Sequence, residues 1–272
     1  MKKSKVNIIS WTVIILGSIV ILLPFLWMLL SAFKSSSEIY SVPPTFFPKK
    51  INLDGFKKVL FEVPFFNWLF NSLFVAVLTA VGVLFTSSIM GYIFAKFDFK
   101  WKNTYFIIIL ATLMVPFQVV MIPTYLIISR MNLTNSYGAL IIPSLVSAFG
   151  IFLCRQFISS VPNDLLEAAK IDGATAMKIY VRIIIPEIKP ILAALAIFMF
   201  MFKWNDYLWP LIVINSTERM TVPLALTYFS SRHQSQINVI YAGALLIMAP
   251  IFIVYLIFQK QFVEGLSLTG IK

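Results

Sequence analysis

The sequence predicts an all-α membrane protein with six transmembrane helices and a cytoplasmic helix-turn-helix. Three observations lead to this class: 60% of the 272 residues are hydrophobic, only 12% are charged, and the mean hydropathy is +0.89. Soluble domains carry about 45–50% apolar and about 25% charged residues, so a soluble globular protein is excluded. The 26 Phe and 6 Trp residues exclude a disordered chain, and the single cysteine, Cys154, excludes a disulfide scaffold. Cys154 lies in an apolar run and is interpreted as a small buried hydrophobic residue.

Long runs without Asp, Glu, Lys or Arg locate the membrane helices. A helix needs about 20 apolar residues to cross the hydrocarbon layer, and lipid favours helices because their backbone groups bond within the segment. Five uncharged runs exceed that length: Val6–Phe33, Val63–Ala95, Asn103–Ser129, Met131–Cys154 and Gln234–Gln259. A sixth run, Pro190–Ile214, is long enough but contains Lys203 and Asp206. Pro116 and Pro123 in the third run predict a bent helix.

Positive charge predicts the orientation of these helices. Lys2, Lys3 and Lys5 precede the first run, which is far longer than the apolar core of a signal peptide and has no A-x-A cleavage site after it. The first run is therefore expected to remain as a membrane anchor. With the N-terminus in the cytoplasm, the cytoplasmic segments hold the larger share of the 22 Lys and Arg residues, so both termini are predicted to be cytoplasmic. The net charge of +11 is accordingly interpreted as topology-setting charge and not as a nucleic-acid-binding surface.

The chain is expected to divide near its first external loop. Residues 1–64 comprise the first transmembrane helix and that loop, in which Ile51–Phe61 predicts a short amphipathic helix at the surface. Residues 65–272 comprise a core of five transmembrane helices. This core includes the longest cytoplasmic segment, residues 155–189, and a cytoplasmic C-terminal tail, residues 260–272.

The cytoplasmic segment 155–189 has the sequence signals of two short helices. Asp164 and Glu167 have the capping-box spacing, with Asp164 in the cap position, and predict a helix over Leu165–Ile171. Gly173 can take the left-handed conformation that ends a helix. Thr175 can cap a second helix that runs to about Ile184.

Two interpretations of this helix-turn-helix remain open on the residues alone. Its alanines make a thin helix that can enter a groove of a partner, where Glu167 and Asp172 can pair with Arg or Lys. An apolar face for that partner is predicted from Leu165, Leu166, Met177 and Ile179. The alternative is a solvated amphipathic connector without a partner.

Polar residues inside the sixth run form a second candidate site. A charge in the middle of a membrane helix costs about 2.5–3.5 kcal/mol on insertion scales. Lys203 and Asp206 are three residues apart and can pair on one helix face. Trp204, Asn205 and Asp206 are candidates to line a substrate pathway, because aromatic faces and amide or carboxylate groups suit sugars. A purely structural ion pair between helices is the alternative.

The spacing in the cytoplasmic segment resembles the EAA signature of ABC importer permeases, E-A-A-x3-G-x9-I-x-L-P. The matching residues are Glu167, Ala168, Ala169, Gly173, Ile183 and Pro186, and Asp172 before the glycine also fits. The sequence departs from the signature at Ile185, where leucine is usual. Further segments resemble the shorter, six-span permease of maltose-type sugar importers: Val115–Pro143, Phe202–Val213 and Phe262–Lys272. The resemblance covers roughly residues 65–272.

This resemblance implies a multi-subunit machine in a prokaryotic plasma membrane. Two permease chains, usually different, form the pore, and two cytoplasmic ATPase subunits use ATP and Mg to drive it. An extracellular or periplasmic solute-binding protein delivers the sugar. The family further implies that the EAA helix docks in a cleft of the ATPase, with Glu167 and Gly173 as its key positions. The C-terminal tail is a candidate ATPase contact through Glu264, Gly265 and Lys272, and the external loop 215–234, which contains His233, can reach the binding protein.

Motifs for catalysis are not found in the sequence. There is no G-x-x-x-x-G-K-[ST] phosphate loop, no metal-ligand spacing and no pattern of nucleophile and base. The chain is therefore predicted to be a non-catalytic subunit without a cofactor or metal of its own, with ATP hydrolysis in partner chains. Three alternatives remain: a permease of the same architecture for a non-sugar solute, an autonomous secondary transporter, and a membrane-bound enzyme. The absence of repeated halves disfavours the secondary transporter.

Overall fold

The computed structural model describes residues 8–232 and 236–267, and all regular structure in these ranges is helical. The helices are α1 (Ile8–Ala32), α2 (Ser36–Ile39), α3 (Asp54–Phe61), α4 (Phe65–Lys96), α5 (Lys102–Ala111), α6 (Phe117–Arg130), α7 (Tyr137–Ile141), α8 (Ala148–Ser159), α9 (Asn163–Ile171), α10 (Ala176–Ile179), α11 (Ile185–Glu187), α12 (Lys189–Trp204), α13 (Leu208–Val213), α14 (Val222–Arg232) and α15 (Ile237–Ser267). Three 3₁₀ turns, Thr112–Met114, Ile142–Ser144 and Thr217–Arg219, and one π-helical turn, Tyr180–Ile184, connect them.

Within residues 8–232 and 236–267, two helices are long and apolar enough to cross a membrane without a break. These are α1, which qualifies over Ser10–Ala32, and α4, which qualifies over its 32 residues. The side chains of α1 are exposed along most of its length, with Val20 at 72%, and this surface is almost entirely apolar. A helix that is apolar all round needs an apolar solvent, so α1 matches a lipid-facing span. The predicted all-α membrane fold is confirmed.

Three further apolar stretches among the described residues are bent pairs of shorter helices, and two of them coincide with the third and fourth predicted runs. The third run forms α5 with its 3₁₀ turn and then α6, and the two parts meet at an angle of 103°. The break falls at Val115 and Pro116, where proline lacks the N–H that would continue the helix. The bend predicted from Pro116 is therefore confirmed, whereas Pro123 lies inside α6.

The other two bends differ in size. Tyr137–Ser144 and Ala148–Ser159 meet at 43°, and Ala176–Glu187 and Lys189–Trp204 meet at 78°. The bend of 78° lies just before the sixth predicted run, and that run is itself broken between α12 and α13, over residues 205–207. By length and composition, up to five spans follow if each bent pair counts as one, and α15 adds a helix that is apolar over Ile237–Ile253. The count of six crossings stays a prediction.

The chain forms two compact units. The first comprises residues 1–66 and 225–250. In it, the segment after α1 is tied to the start of α15 by polar side chains: Ser36 Oγ donates to Asn238 Oδ1 at 2.6 Å, and Lys58 Nζ donates to Gln236 Oε1 at 2.7 Å. Lys34 is buried, donates to the Thr45 carbonyl and lies over the ring of Trp27. Its charge is thereby compensated at the end of an apolar helix.

The second unit comprises residues 67–224 and 251–272, and its core lies between α4, α8 and α12. Close packing of α4 on α8 depends on Gly91. A Cβ atom at this position would lie 2.6 Å from Cys154 Cβ and 2.9 Å from the backbone nitrogen of Arg155. Small residues allow membrane helices to approach closely in this way. Cys154 is fully buried at this contact, as the sequence predicts.

We therefore expect Gly91→Ala to destabilise the protein by about 1–3 kcal/mol, the range for an overpacked core. The reason is that backbone atoms of α8, which cannot rotate away, occupy the space of the new methyl group. Thermal unfolding of the purified protein in detergent measures the effect. Gly17→Ala is the matched control, because nothing lies within 4 Å of a Cβ atom at Gly17 in α1. Equal melting temperatures for the two variants would contradict the expectation.

Candidate functional site

In the segment 155–189, which the sequence predicts to be cytoplasmic, the first short helix is α9, and its start differs from the prediction. The helix starts at Asn163 and not at Leu165, and Asp164 lies inside its first turn. The residue before the helix is Pro162, and no side chain caps the helix. The predicted capping role of Asp164 is therefore wrong, although an acidic residue in the first turn still favours the helix N-terminus.

The end of α9 agrees with the prediction. Gly173 has a φ of +76°, the left-handed conformation that glycine adopts without steric cost. The Gly173 N–H donates to the Lys170 carbonyl at 3.0 Å, and the Ala174 N–H donates to the Ala169 carbonyl at 2.9 Å. These two bonds form a Schellman motif. Gly173 therefore sets the angle at which the chain leaves α9.

The second helix of the segment starts as predicted and runs further. The Thr175 hydroxyl accepts a hydrogen bond from the Lys178 N–H at 3.3 Å and caps α10. The helix continues through the π-helical turn Tyr180–Ile184 into α11, which ends at Glu187. π-Helical turns inside α-helices are frequent at functional sites. Ile183 lies in this turn and is half-buried, and Pro186 in α11 is exposed.

The signature residues mostly face outward. Glu167, Ala168, Asp172 and Gly173 are exposed, and Ala169 is half-buried. Among the described residues, the Glu167 carboxylate has no hydrogen-bond or ion-pair partner, in contrast to the inward-facing polar groups described below. An exposed acidic side chain without a local partner is available for contact with another molecule.

The predicted apolar face of the segment is only half right. Leu165 and Met177 are exposed at 44% and 63%, whereas Leu166 and Ile179 are buried and do not face outward. Two residues not predicted for this face are exposed instead, Ile171 at 86% and Val181 at 54%. The outward apolar surface, which we call the docking face, consists of Leu165, Ile171, Met177 and Val181.

The opposite side of the segment is packed onto the membrane helices of the second unit. Leu166, Ile179, Tyr180 and Ile184 belong to one buried cluster that also contains residues of α4, α8 and α12. A segment held by such a close-packed core moves together with the helices below it.

Polar contacts strengthen this attachment. The hydroxyl groups of Tyr180 and Ser88 lie 2.7 Å apart in the buried interior, and the ring of Tyr180 stacks on that of Tyr92 at 5.7 Å. Lys96, the last residue of α4, donates to the Val161 carbonyl at 2.5 Å and to Asn163 Oδ1 at 2.9 Å. These bonds connect α4 to the beginning of α9 and to the π-helical turn.

The second candidate site lies where α12 ends. Lys203 Nζ and Asp206 Oδ2 are 2.9 Å apart, and their side chains are only 5% and 17% exposed. The pairing predicted from their spacing is confirmed, and it joins α12 to the residues just beyond its own end. Asn205 caps the helix and its side-chain amide donates to the Met201 carbonyl at 2.8 Å.

A cavity of about 700 Å³ opens next to this break. Its lining comprises Phe198, Met201, Phe202, Asn205, Asp206, Tyr207 and Leu208. Of the three residues predicted to line a pathway, Asn205 and Asp206 lie on the cavity. Trp204 does not, because it is fully buried and stacks on Phe200 at 5.6 Å.

The loop of the second unit that the sequence predicts to be external is held by side chains that the sequence analysis did not single out. The Asn71 amide donates to the Glu218 and Met220 carbonyls, and the Asn135 side-chain oxygen accepts from the N–H groups of Asn215 and Ser216. Two asparagines four residues apart in an otherwise apolar run, at positions 67 and 71, were the available signal. Buried amides in apolar surroundings require such partners.

The predicted C-terminal contacts fall at the end of the described chain. Glu264 and Gly265 belong to α15, which continues to Ser267, so the first part of the predicted tail 260–272 is helical. Lys272 and His233 lie outside the described residues.

These features define an α-helical multi-pass membrane protein with an exposed helix-turn-helix and a polar break beside a cavity. The chain belongs to the family of binding-protein-dependent transport system inner membrane components, which it matches over residues 87–267. The resemblance to ABC importer permeases is thereby confirmed, and the chain is a membrane-embedded transport subunit.

Relatives match nearly the whole chain. The arabinooligosaccharides transport system permease protein AraQ of Halalkalibacterium halodurans is 32% identical over 278 residues, which cover 100% of both chains. The protein of the same name from Bacillus subtilis is 36% identical over 259 residues, 94% of this chain and 92% of the relative. The lactose transport system permease protein LacG of Rhizobium radiobacter is 33% identical over 261 residues, 96% of this chain and 94% of the relative.

A solved structure has the same fold. A bacterial ABC transporter involved in the import of the acidic polysaccharide alginate contains a chain that superposes with a TM-score of 0.84. The superposition covers 94% of this chain and 95% of that one, at 22% sequence identity. At that identity the likeness establishes the fold alone.

Proposed function

We propose that the chain is the transmembrane permease subunit of an ATP-driven, binding-protein-dependent importer of a di- or oligosaccharide. The observation that carries this proposal is the identity of 32–36% to permeases named for arabinooligosaccharide and lactose transport, over nearly the whole length of each chain. The partners in this proposal are a second permease chain, two cytoplasmic ATPase subunits that bind ATP and Mg, and an external solute-binding protein.

A different solute is the second candidate, because a relative with 32% identity is named as the sn-glycerol-3-phosphate transport system permease protein UgpE of Escherichia coli. The residues around the cavity favour a neutral sugar. Among the described residues, its lining includes the carboxylate of Asp206 and no Lys or Arg side chain, and the nearby Lys203 is already paired. A phosphate group would be repelled by this carboxylate, whereas sugar hydroxyls can donate to it.

The cavity chemistry fits the recognition of a carbohydrate in a second way. Phe202 and Tyr207 offer aromatic faces for the apolar faces of a sugar ring, next to the polar groups of Asn205 and Asp206. Small-molecule sites combine a mostly apolar lining with a few polar groups that orient the ligand. We infer that Asn205 and Asp206 line the pathway. Trp204 is buried away from the cavity and stabilises the end of α12 by stacking on Phe200.

Coupling to ATP hydrolysis is assigned to the cytoplasmic segment. In this proposal the docking face and the exposed Glu167 and Asp172 enter a groove of the ATPase, and Gly173 sets the shape of the turn. Closure of the ATPase pair on ATP moves the segment as a rigid body, because its inner side is packed into the core of the second unit. The attached helices rotate and open the pore outward, and hydrolysis returns it to the inward-facing state.

The topology completes the proposal. Both termini lie in the cytoplasm, six helices cross the membrane, and residues 65–272 form the permease core. The C-terminal residues Glu264, Gly265 and Lys272 are then on the side of the ATPase and can add to its contact.

The assembly can be tested by purifying the chain from native membranes through a C-terminal tag and identifying the associated proteins by mass spectrometry. We expect a P-loop ATPase and a second membrane chain with an EAA spacing. ATPase activity of this assembly in liposomes should rise with a sugar-loaded binding protein and not with one loaded with glycerol phosphate. Recovery of a stable chain alone, active in liposomes without ATP, would contradict the proposal and favour a secondary transporter.

A further inference from the structure

The outer end of α4 holds the external loop by four side chains. The Asn67 amide donates to the Glu218 carbonyl at 2.7 Å, and Trp68 Nε1 donates to the Thr217 carbonyl at 2.7 Å. The other two are Asn71 and Ser72, whose hydroxyl accepts from the Val222 N–H at 2.7 Å. All four lie on adjacent turns of α4 and bind backbone atoms of the loop. The loop is therefore anchored to α4 through its backbone, and its own side chains Ser216 and Arg219 add bonds to Asn135.

Asn71 makes the most hydrogen bonds of these four side chains. It is fully buried, its amide nitrogen donates to the Glu218 and Met220 carbonyls at 2.8 and 2.9 Å, and its oxygen accepts from the Tyr137 hydroxyl at 2.7 Å. Both ends of the side chain are thus bonded in a buried setting, where each unmade bond carries a desolvation cost. The loop and α7 are thereby fixed to α4.

The inner end of α4 holds the cytoplasmic segment in the same manner. Lys96 binds the Val161 carbonyl and Asn163 at the start of α9, and Ser88 binds Tyr180 in the π-helical turn. The chain itself connects the cytoplasmic segment to α8 on one side and to α12 on the other. The hydrogen bonds from Lys96 and Ser88 add a third connection, to α4, which is not covalent.

The part of α4 between these two sets of hydrogen bonds is one continuous helix. Asn71 and Lys96 are 25 residues apart, about 38 Å along a continuous helix. α4 contains no proline, whereas α1 and α15 contain Pro24 and Pro250, and the three bent pairs turn by 43° or more. Because α4 is unbroken and has no proline, we expect a displacement at one end of it to be carried to the other.

We propose that α4 is the rod that transmits movement of the cytoplasmic segment to the external loop, with Lys96 and Asn71 as the positioning residues at its two ends. The inference rests on the proposed function, because it needs a nucleotide-driven movement of the cytoplasmic segment. The competing route runs through α8 and α12, which are joined to the segment by the chain itself.

Hydrogen exchange of the tag-purified assembly in nanodiscs, with and without ATP and orthovanadate, separates the two routes. In the wild type, nucleotide should change exchange at residues 163–175 and at residues 215–222. Lys96→Met removes both hydrogen bonds of Lys96, so it should keep the first change and reduce the second at least fivefold, the equivalent of about one hydrogen bond or more. Tyr180→Phe removes the third inner bond, the one to Ser88, and should act in the same direction.

The opposite end has its own variant and control. Tyr137→Phe removes only the bond to Asn71 and should weaken the response of the loop while the cytoplasmic response stays intact. Lys100→Met, an exposed lysine in the adjacent turn, should leave both responses unchanged. If Lys96→Met and Tyr180→Phe show the same nucleotide-dependent changes in exchange as the wild type at both ends, α4 does not transmit the movement. The proposed function would then still stand. No response to nucleotide anywhere in the wild type would overturn both.

Discussion

Gly173→Pro is expected to abolish transport, whereas Gly173→Asn should keep most of it and Gly173→Ala should fall between them. Gly173 has a φ of +76°, which the proline ring, locked near −65°, cannot adopt. Alanine adopts the left-handed conformation at a cost of about 1–2 kcal/mol, and asparagine tolerates it better. The order of the variants therefore follows the backbone conformation and not the size of the side chain.

Steric crowding by the new side chain cannot explain this order of activities among the Gly173 variants. Nothing lies within 4 Å of a Cβ atom at Gly173, and the residue is exposed, so added side-chain atoms meet only solvent. We expect membrane insertion and thermal stability to change little in Gly173→Ala and Gly173→Asn. Transport and binding-protein-stimulated ATPase activity of the reconstituted assembly should change in parallel, because the turn sets how α9 meets its partner.

A charge reversal at Glu167 tests the contact of its side chain with the ATPase separately from the backbone turn at Gly173. Glu167→Lys leaves the turn intact, but it should reduce association with the ATPase subunits, since truncating one member of a buried charge pair costs about 2–5 kcal/mol. Glu187→Gln, an exposed acidic residue at the far end of the segment, is the control. Normal transport by both Gly173→Pro and Glu167→Lys would contradict the coupling role of the segment.

Local signals allowed the sequence to predict the turns of the segment 155–189. The left-handed conformation of Gly173 and the cap at Thr175 depend on residues within a few positions, and both are found in the structure. The pairing of Lys203 with Asp206 is likewise set by helical spacing. Features of this kind need no knowledge of the remaining fold.

The orientation of each helix could not be predicted in the same way. Leu166 and Ile179 are as apolar as Leu165 and Met177, yet the first two are buried and the others exposed. A short helix has only two or three apolar residues on each face. Apolar periodicity then does not distinguish a face toward the protein core from a face toward a partner. The same ambiguity assigned Trp204 to the pathway, although only Asn205 and Asp206 lie on the cavity.

Asp206→Asn is expected to lower the free energy of unfolding by about 3–5 kcal/mol, the cost of leaving a buried charge without its partner. The stranded group is the Lys203 ammonium, whose side chain is 5% exposed. Lys203→Met should cost less, because the Asp206 carboxylate is 17% exposed and borders the cavity, where water can solvate it. Thermal unfolding of the purified assembly in detergent measures both effects.

An exposed ion pair supplies the control for these substitutions. Lys102 and Asp98 lie 3.3 Å apart with the same type of charges, but the Asp98 side chain is fully exposed. Such pairs contribute at most about 1 kcal/mol, so Asp98→Asn should leave the melting temperature nearly unchanged. A comparable loss of stability in Asp206→Asn and Asp98→Asn would rule out the buried pair as the cause.

The double variant Lys203→Met/Asp206→Leu separates a structural pair from a pathway residue. Replacing both charges by apolar groups is often neutral for stability, so the double variant should melt close to the wild type. If the pair were only structural, this variant would transport normally. We expect instead that it stays folded and loses sugar transport, because the carboxylate on the cavity wall is removed together with its hydrogen-bond acceptors. A variant that is stable and fully active would remove Asp206 from the pathway and leave Asn205 as the polar residue at the break.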